Sequence, residues 1–184
     1  MNQQYQAKYH LKLIVCGTGA VGKTSTIKRF VQNNFEEGYL LTIGMEPSNH
    51  IIEIKDGQKE NIPVNLLIYD VAGQRRFQIL REVFFRGAAG ALFVFDLTRP
   101  QTLDELRDWH AQIMDRVGEI PIILLGNKSD LEDQIAIDYD QLEDKFIPEF
   151  NCRKYFETSA ATGKNVYDAF YKLTHEILTD QKKI

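Results

Sequence analysis

Apolar and polar positions follow two different periods along this chain, and the periods take turns. Leu11–Val15, Leu92–Phe95 and Ile120–Leu125 are short apolar runs without alternation, as expected of strands covered on both faces. Asn49–Lys55 and Ile62–Asp70 alternate instead, and they flank Asp56-Gly57, which predicts a hairpin. Between such runs lie amphipathic stretches; Ile27, Phe30 and Val31 give the first its apolar face. The predicted strands are Tyr9–Cys16, Asn49–Lys55, Ile62–Asp70, Gly90–Asp96, Ile120–Asn127 and Lys154–Glu157. The predicted helices are Lys23–Asn33, Arg76–Arg86, Thr102–Val117, Tyr139–Phe150 and Gly163–Thr179. Their alternation predicts a doubly wound α/β domain: a mostly parallel sheet, one antiparallel edge strand and helices on both faces. Such sheets bind ligands outside the carboxyl ends of their strands, and every candidate motif falls there.

The strongest motif is Gly17-Thr-Gly-Ala-Val-Gly22-Lys23-Thr24, which fits G-x-x-x-x-G-K-[ST]. A predicted strand delivers it and a predicted helix leaves it, the context a phosphate loop needs. Gly17, Gly19 and Gly22 allow close approach to an anion, and the helix N-terminus adds N–H donors and partial positive charge. Gly17, Gly19, Ala20, Val21, Gly22, Lys23, Thr24 and Ser25 are therefore candidate nucleotide-binding residues. Lys23 is placed to reach the β- and γ-phosphates, and the Thr24 hydroxyl to bind Mg²⁺. A chance Gly-rich turn is the bland alternative, disfavoured by the flanking elements.

Asp70 ends a strand and opens Asp70-Val-Ala-Gly73-Gln74. The carboxylate can hold Mg²⁺ through a water, the Gly73 amide can meet a γ-phosphate, and Gln74 can orient an attacking water. Alone, Asp70 reads as a turn residue and Gln74 as a solvated one; as a unit after a phosphate loop they read as chemistry. Thr42, in the long connection 33–48, can complete the metal shell when a γ-phosphate is present. Phe35 could meet the base edge-on, and Tyr39 could close over the phosphates, with ordinary loop packing an equal alternative for Tyr39.

Asn127-Lys128-Ser129-Asp130 follows another buried run. A carboxylate at Asp130 can accept from guanine N1–H and its 2-amino group, whereas adenine presents an acceptor and leaves the carboxylate unpaired. The Lys128 stem can lie along the base, and Asn127 can tie the base loop to the phosphate loop. In Thr158-Ser159-Ala160 the Ala160 amide could contact guanine O6, with Ser159 beside it; a helix N-cap before Gly163 is the plain alternative.

Net charge is −4 over 184 residues, which argues against a general nucleic-acid binder, and length favours one domain. No stretch is apolar enough to span a bilayer, and there is no signal-peptide pattern and no Gly at position 2. Of two cysteines, Cys16 sits at a strand end and reads as a buried thiol. A cytoplasmic protein is expected.

On these motifs the chain resembles a Ras-superfamily small GTPase, most closely the Rab branch, from about Lys8 to Leu178 within one domain over 1–184. The Rab character comes from Gln74-Arg-Arg-Phe77, Phe84-Phe85-Arg86-Gly87-Ala88 and Ala91–Thr98. The resemblance implies a six-stranded sheet with five helices and GTP/GDP exchange. It also implies Mg²⁺, slow hydrolysis and two switch loops acting in trafficking or signalling. It implies effectors, activating proteins and exchange proteins at 35–48 and 69–88, with the chain acting as a monomer. Several positions depart from the Rab pattern: Pro47 for an aromatic, Tyr69 for Trp, Val71 for Thr and Arg75 for Glu. The effector patch would then be rebuilt from Pro47, Tyr69 and Phe84 or Phe85. The hairpin between Thr42 and Asp70 also looks a few residues longer. The final residues Thr179–Ile184 hold no cysteine for prenylation, so membrane attachment is expected only through a lipidated tail beyond this chain. Two other functions compete: a nucleotide-held scaffold that does not cycle, opposed by Thr42, Gly73 and Gln74, and a P-loop ATPase or kinase, opposed by Asp130.

Overall fold

The computed structural model describes residues 7–33, 47–55, 61–71 and 84–184. Six strands form one sheet: β1 (Tyr9–Cys16), β2 (Pro47–Lys55), β3 (Asn61–Asp70), β4 (Gly90–Asp96), β5 (Ile122–Asn127) and β6 (Cys152–Glu157). Their order is β2-β3-β1-β4-β5-β6. All neighbours run parallel except β2, which pairs antiparallel with β3, Pro47 facing Tyr69 at one end and Lys55 facing Asn61 at the other. The hairpin expected from Asp56-Gly57 is thus present as a strand pair, while its turn lies outside the described residues.

The period-two geometry of β1 divides its side chains between two cores. Leu11, Leu13 and Val15 point to one face, under α1 (Lys23–Gln32) and α3 (Val166–Asp180). Ile14 and Cys16 point to the other, under α2 (Leu106–Arg116) and the helical turns of 139–150. Both faces being covered explains why β4 and β5 are buried at every position. On the first face Phe30 of α1 stacks on Phe170 of α3 with ring centroids 3.9 Å apart. On the second, Phe85 is fully buried, edge-on to Trp109.

Several expected elements differ in detail, most of them by a few residues at one end. The helix foreseen over Thr102–Val117 is a single turn, Gln101–Asp104, followed by α2. The helix foreseen over Tyr139–Phe150 passes through a π-helical stretch, Leu142–Phe146, and ends on a turn containing Pro148. β5 starts at Ile122 and not Ile120, because Pro121 has no N–H to give the ladder and offers only its carbonyl, to Ala91. The helix foreseen over Arg76–Arg86 lies almost wholly outside the described residues.

Candidate functional site

The loop between β1 and α1 holds two glycines that no other residue could replace. Gly17 has φ +147°, and a Cβ there would stand 2.2 Å from the Val94 carbonyl oxygen. Gly22 has φ +100°, and a Cβ there would stand 2.2 Å from Asn127 Nδ2. Even Ala20 is left-handed, at φ 62°. This conformation turns the chain sharply into α1, whose first residues are Lys23, Thr24 and Ser25. The Lys23 side chain is folded back over the loop and donates to the Thr18 carbonyl at 3.0 Å. Val21 is fully buried and anchors the loop to the core, and Gly19 stands at the loop's rim.

Across the sheet, β3 ends on Asp70, and the Thr24 hydroxyl donates to its Oδ2. Asp70 is 6% exposed, and its Oδ1 is buried without a hydrogen-bond partner among the described residues. A buried carboxylate oxygen left open beside a hydroxyl is costly unless something charged completes it. The donor set, all hard oxygen where the glycine loop enters α1, fits Mg²⁺.

Asn127 joins the two halves of the site. Its Nδ2 donates to the Val21 carbonyl at 2.8 Å, and its Oδ1 accepts from the Ala160 amide at 3.1 Å and the Thr158 hydroxyl at 3.4 Å. Lys128 next to it adopts a left-handed backbone, φ 69°, which swings the loop outward and leaves Asp130 exposed. Ser159 Oγ donates to Asp130 Oδ1 at 2.5 Å and accepts from the Thr162 amide at 3.0 Å. The 158–160 segment is therefore not a helix N-cap: α3 begins only at Val166, after Asn165 at φ 56°. Any contact of the Ala160 amide with a base must be shared with its bond to Asn127.

The sequence thus foresees two loops that the fold brings together, the phosphate loop and Asn127–Asp130, with Ser159 and Ala160 behind them. Phe35, Tyr39, Thr42, Gly73 and Gln74 lie outside the described residues. Two arginines carry no motif signal yet bind the site together. Arg29 of α1 donates from Nε to the Ala160 carbonyl at 2.8 Å and from its terminal nitrogen to the Ala161 carbonyl at 2.5 Å. Arg99 donates to the Gly19 carbonyl at 3.3 Å. Of the two phenylalanines that could rebuild the effector patch, Phe85 belongs to the core. Phe84 stays half-buried, its ring 6.0 Å from that of Tyr69.

A Ras family model matches residues 12–179, and the chain belongs to the Ras family of small GTPases, which bind GTP and GDP with Mg²⁺ and hydrolyse GTP. Similar proteins include Ras-related protein Rab-32B of Dictyostelium discoideum, 39% identical over 176 residues. GTP-binding protein ypt2 of Schizosaccharomyces pombe and Ras-related protein Rab-13 of Bos taurus are each 35% identical, over 170 and 168 residues. These alignments cover 93%, 92% and 91% of this chain. The chain spans 65% of the length of the Rab-32B relative, 82% of ypt2 and 79% of Rab-13. Among the described residues no helix is long and apolar enough to cross a membrane.

Proposed function

We propose that residues 1–184 form one G domain, with 8–178 as its core, acting in the cytoplasm as a monomeric Rab-like switch in membrane trafficking. The observation that carries the site assignment is the open Asp70 Oδ1 beside Thr24, the second residue of the helix that leaves a loop with no space for side chains at 17 and 22. Lys23 leaves the Thr18 carbonyl to meet the β- and γ-phosphates, and the amides of Gly19, Ala20, Val21, Gly22, Lys23, Thr24 and Ser25 surround them. Thr24, Thr42 and, through a water, Asp70 hold Mg²⁺, which when bound supplies positive charge to the phosphate oxygens. Asp130, steadied by Ser159, reads the guanine N1–H and 2-amino group. Lys128 lies along the base with Phe35 at its edge, and Asn127 sets both loops at one spacing.

Gln74 orients the water for in-line attack, and the Gly73 amide meets the γ-phosphate. Tyr39 and Thr42 close over it, so that 31–48 and 73–86 take one arrangement with GTP and another with GDP. Effectors, exchange proteins and activating proteins read 35–48 and 69–88. The half-buried pair Tyr69 and Phe84, with Lys12 Nζ 4.6 Å above the Tyr69 ring, gives that surface an aromatic centre under a cation. A partner's arginine raises the slow intrinsic rate by roughly 10³–10⁵.

Single-turnover hydrolysis of Mg²⁺–GTP, beside Gln74→Leu, tests this reading. A slow rate that falls further in the variant supports it. Turnover at many per second by the free protein overturns the need for a partner arginine. Tight GTP binding without hydrolysis in either protein favours the non-cycling scaffold.

A further inference from the structure

Asp96 ends β4 with its side chain wholly buried beside the site. A carboxylate in that setting must be paired, and it is paired four times. Its Oδ1 accepts from the Thr98 amide at 2.9 Å and the Thr98 hydroxyl at 2.7 Å. Its Oδ2 holds Lys128 Nζ at 2.6 Å and Arg99 Nε at 2.8 Å. Burial pushes this carboxyl up, but the bonds from Lys128, Thr98 and Arg99 outweigh it and hold it below the usual carboxylate range.

The two cations lead to different loops. Lys128 is itself the left-handed residue of the loop after β5. Arg99 reaches on to the Gly19 carbonyl, one residue before the left-handed Ala20 of the phosphate loop. Residues with a Cβ keep that conformation only where their surroundings impose it. The end of β4 is in turn fixed by Thr102, whose hydroxyl accepts from the Asp96 amide at 2.9 Å, and by the Leu97 amide, which donates to the Asn127 carbonyl at 3.0 Å. One buried anion therefore stands between two strained loops and grips a cation that serves each.

We propose that Asp96 is a positioning residue for nucleotide retention. It holds Lys128 on the base side and, through Arg99, the Gly19 end of the phosphate loop, so that release of the nucleotide requires both loops to loosen together. The inference rests on the assignment of these two loops to GTP and GDP. Arg99 and Lys128 keep side-chain exposures of 36% and 32%, so they stand at the rim of the site while their anchor is inside it.

The test is dissociation of fluorescent GDP at fixed Mg²⁺ from the full chain and from Asp96→Asn, Arg99→Ala, Arg99→Lys and Lys23→Ala. Asp96→Asn should release GDP at least about tenfold faster, and Arg99→Ala roughly three- to tenfold faster, the range expected from losing charge-assisted bonds. The double variant should be no faster than Asp96→Asn alone, and Arg99→Lys should restore part of the retention. Arg99→Ala should also narrow the preference for GDP over GMP, because it acts on the loop that surrounds the second phosphate. Purely additive effects, or equal losses for GDP and GMP, would mean general loosening and would overturn the proposal. If Asp96→Asn does not fold, the rim variants Arg99→Ala and Arg99→Lys decide the matter by the same readouts. Wild-type release rates with Lys23→Ala unable to bind GDP would overturn the coupling alone; undiminished GDP binding by Lys23→Ala would overturn the site assignment beneath it.

Discussion

The Asn127 side-chain amide donates to the Val21 carbonyl at 2.8 Å across 106 residues of sequence. Its oxygen accepts from Ala160 on the opposite side. One planar group thus sets the spacing of three loops. Asn127→Asp replaces the donor with a second acceptor and turns a carboxylate oxygen toward the Val21 carbonyl. A buried charged group left without its partner costs about 3 kcal/mol or more, so GDP affinity should fall at least about a hundredfold. Titration calorimetry with GDP checks this, and an affinity within a few-fold of wild type would show that the three loops do not need this link.

Asp130 is exposed, but one of its oxygens is already held by Ser159 at 2.5 Å. The carboxylate is therefore oriented before any base arrives. Asp130→Asn should lower GDP affinity by about 1–3 kcal/mol and reduce the preference for guanine over inosine, which lacks the 2-amino group. Competition binding with GDP and IDP reads both numbers. An unchanged GDP-to-IDP ratio would place base recognition elsewhere.

Phe84 and Phe85 are neighbours with opposite fates. Phe85→Ala empties a site packed against Trp109 and should destabilise the fold by about 3–5 kcal/mol. Phe84→Ala, at the half-buried Tyr69 surface, should cost about 1 kcal/mol or less. Urea denaturation of the GDP-bound protein distinguishes them. Equal losses would mean that Phe84 is part of the core.

Two histidines make stability depend on pH near neutrality. Burial lowers the pKa of His110, edge-on to Phe93 and against Phe150, with Glu149 pulling it partly back. Burial likewise lowers that of His50, 4.7 Å from Phe30. As pH falls through roughly 6.5, the unfolded chain takes up these protons first. The unfolded state then binds more protons than the native one, so stability falls with acidification until the lower native pKa is passed. Thermal unfolding should show Tm dropping between about pH 7 and pH 5, with a shallower drop in His110→Phe. A slope unchanged by that substitution would acquit His110.

The sheet was legible because its information is local. β1 and β4 have the bounds expected around their apolar runs, Tyr9–Cys16 and Gly90–Asp96, and the alternation of β2 and β3 announces an edge pair with one solvated face. The phosphate loop and Asn127–Asp130 were legible for the same reason: each is a run of residues with its own spacing. Errors gathered where the decisive group is a single backbone feature. The helix after β4 breaks at Glu105, β5 waits for the proline at 121 to pass, and α3 starts only after the positive φ values of Gly163 and Asn165. Arg29, Asp96 and Arg99 were invisible as site residues because their partners are assigned by topology. Asp96 meets Lys128 only because β4 and β5 lie side by side with Asp96 facing Asn127. The one local hint was a carboxylate at the carboxyl end of a strand, a position it shares with Asp70.

The bonds from Arg29 to Ala160 and Ala161 have a consequence for how the protein is made. They join residues separated by 131 and 132 positions in the chain. At a synthesis rate of about 5–20 residues per second, that gap lasts on the order of ten seconds on a ribosome. During that interval the phosphate loop and α1 exist without the segment that closes behind the base. Until then Asp130 lacks the Ser159 hydroxyl that orients it. Closure of the loop behind α1 therefore waits for β6, the last strand of the sheet to be made.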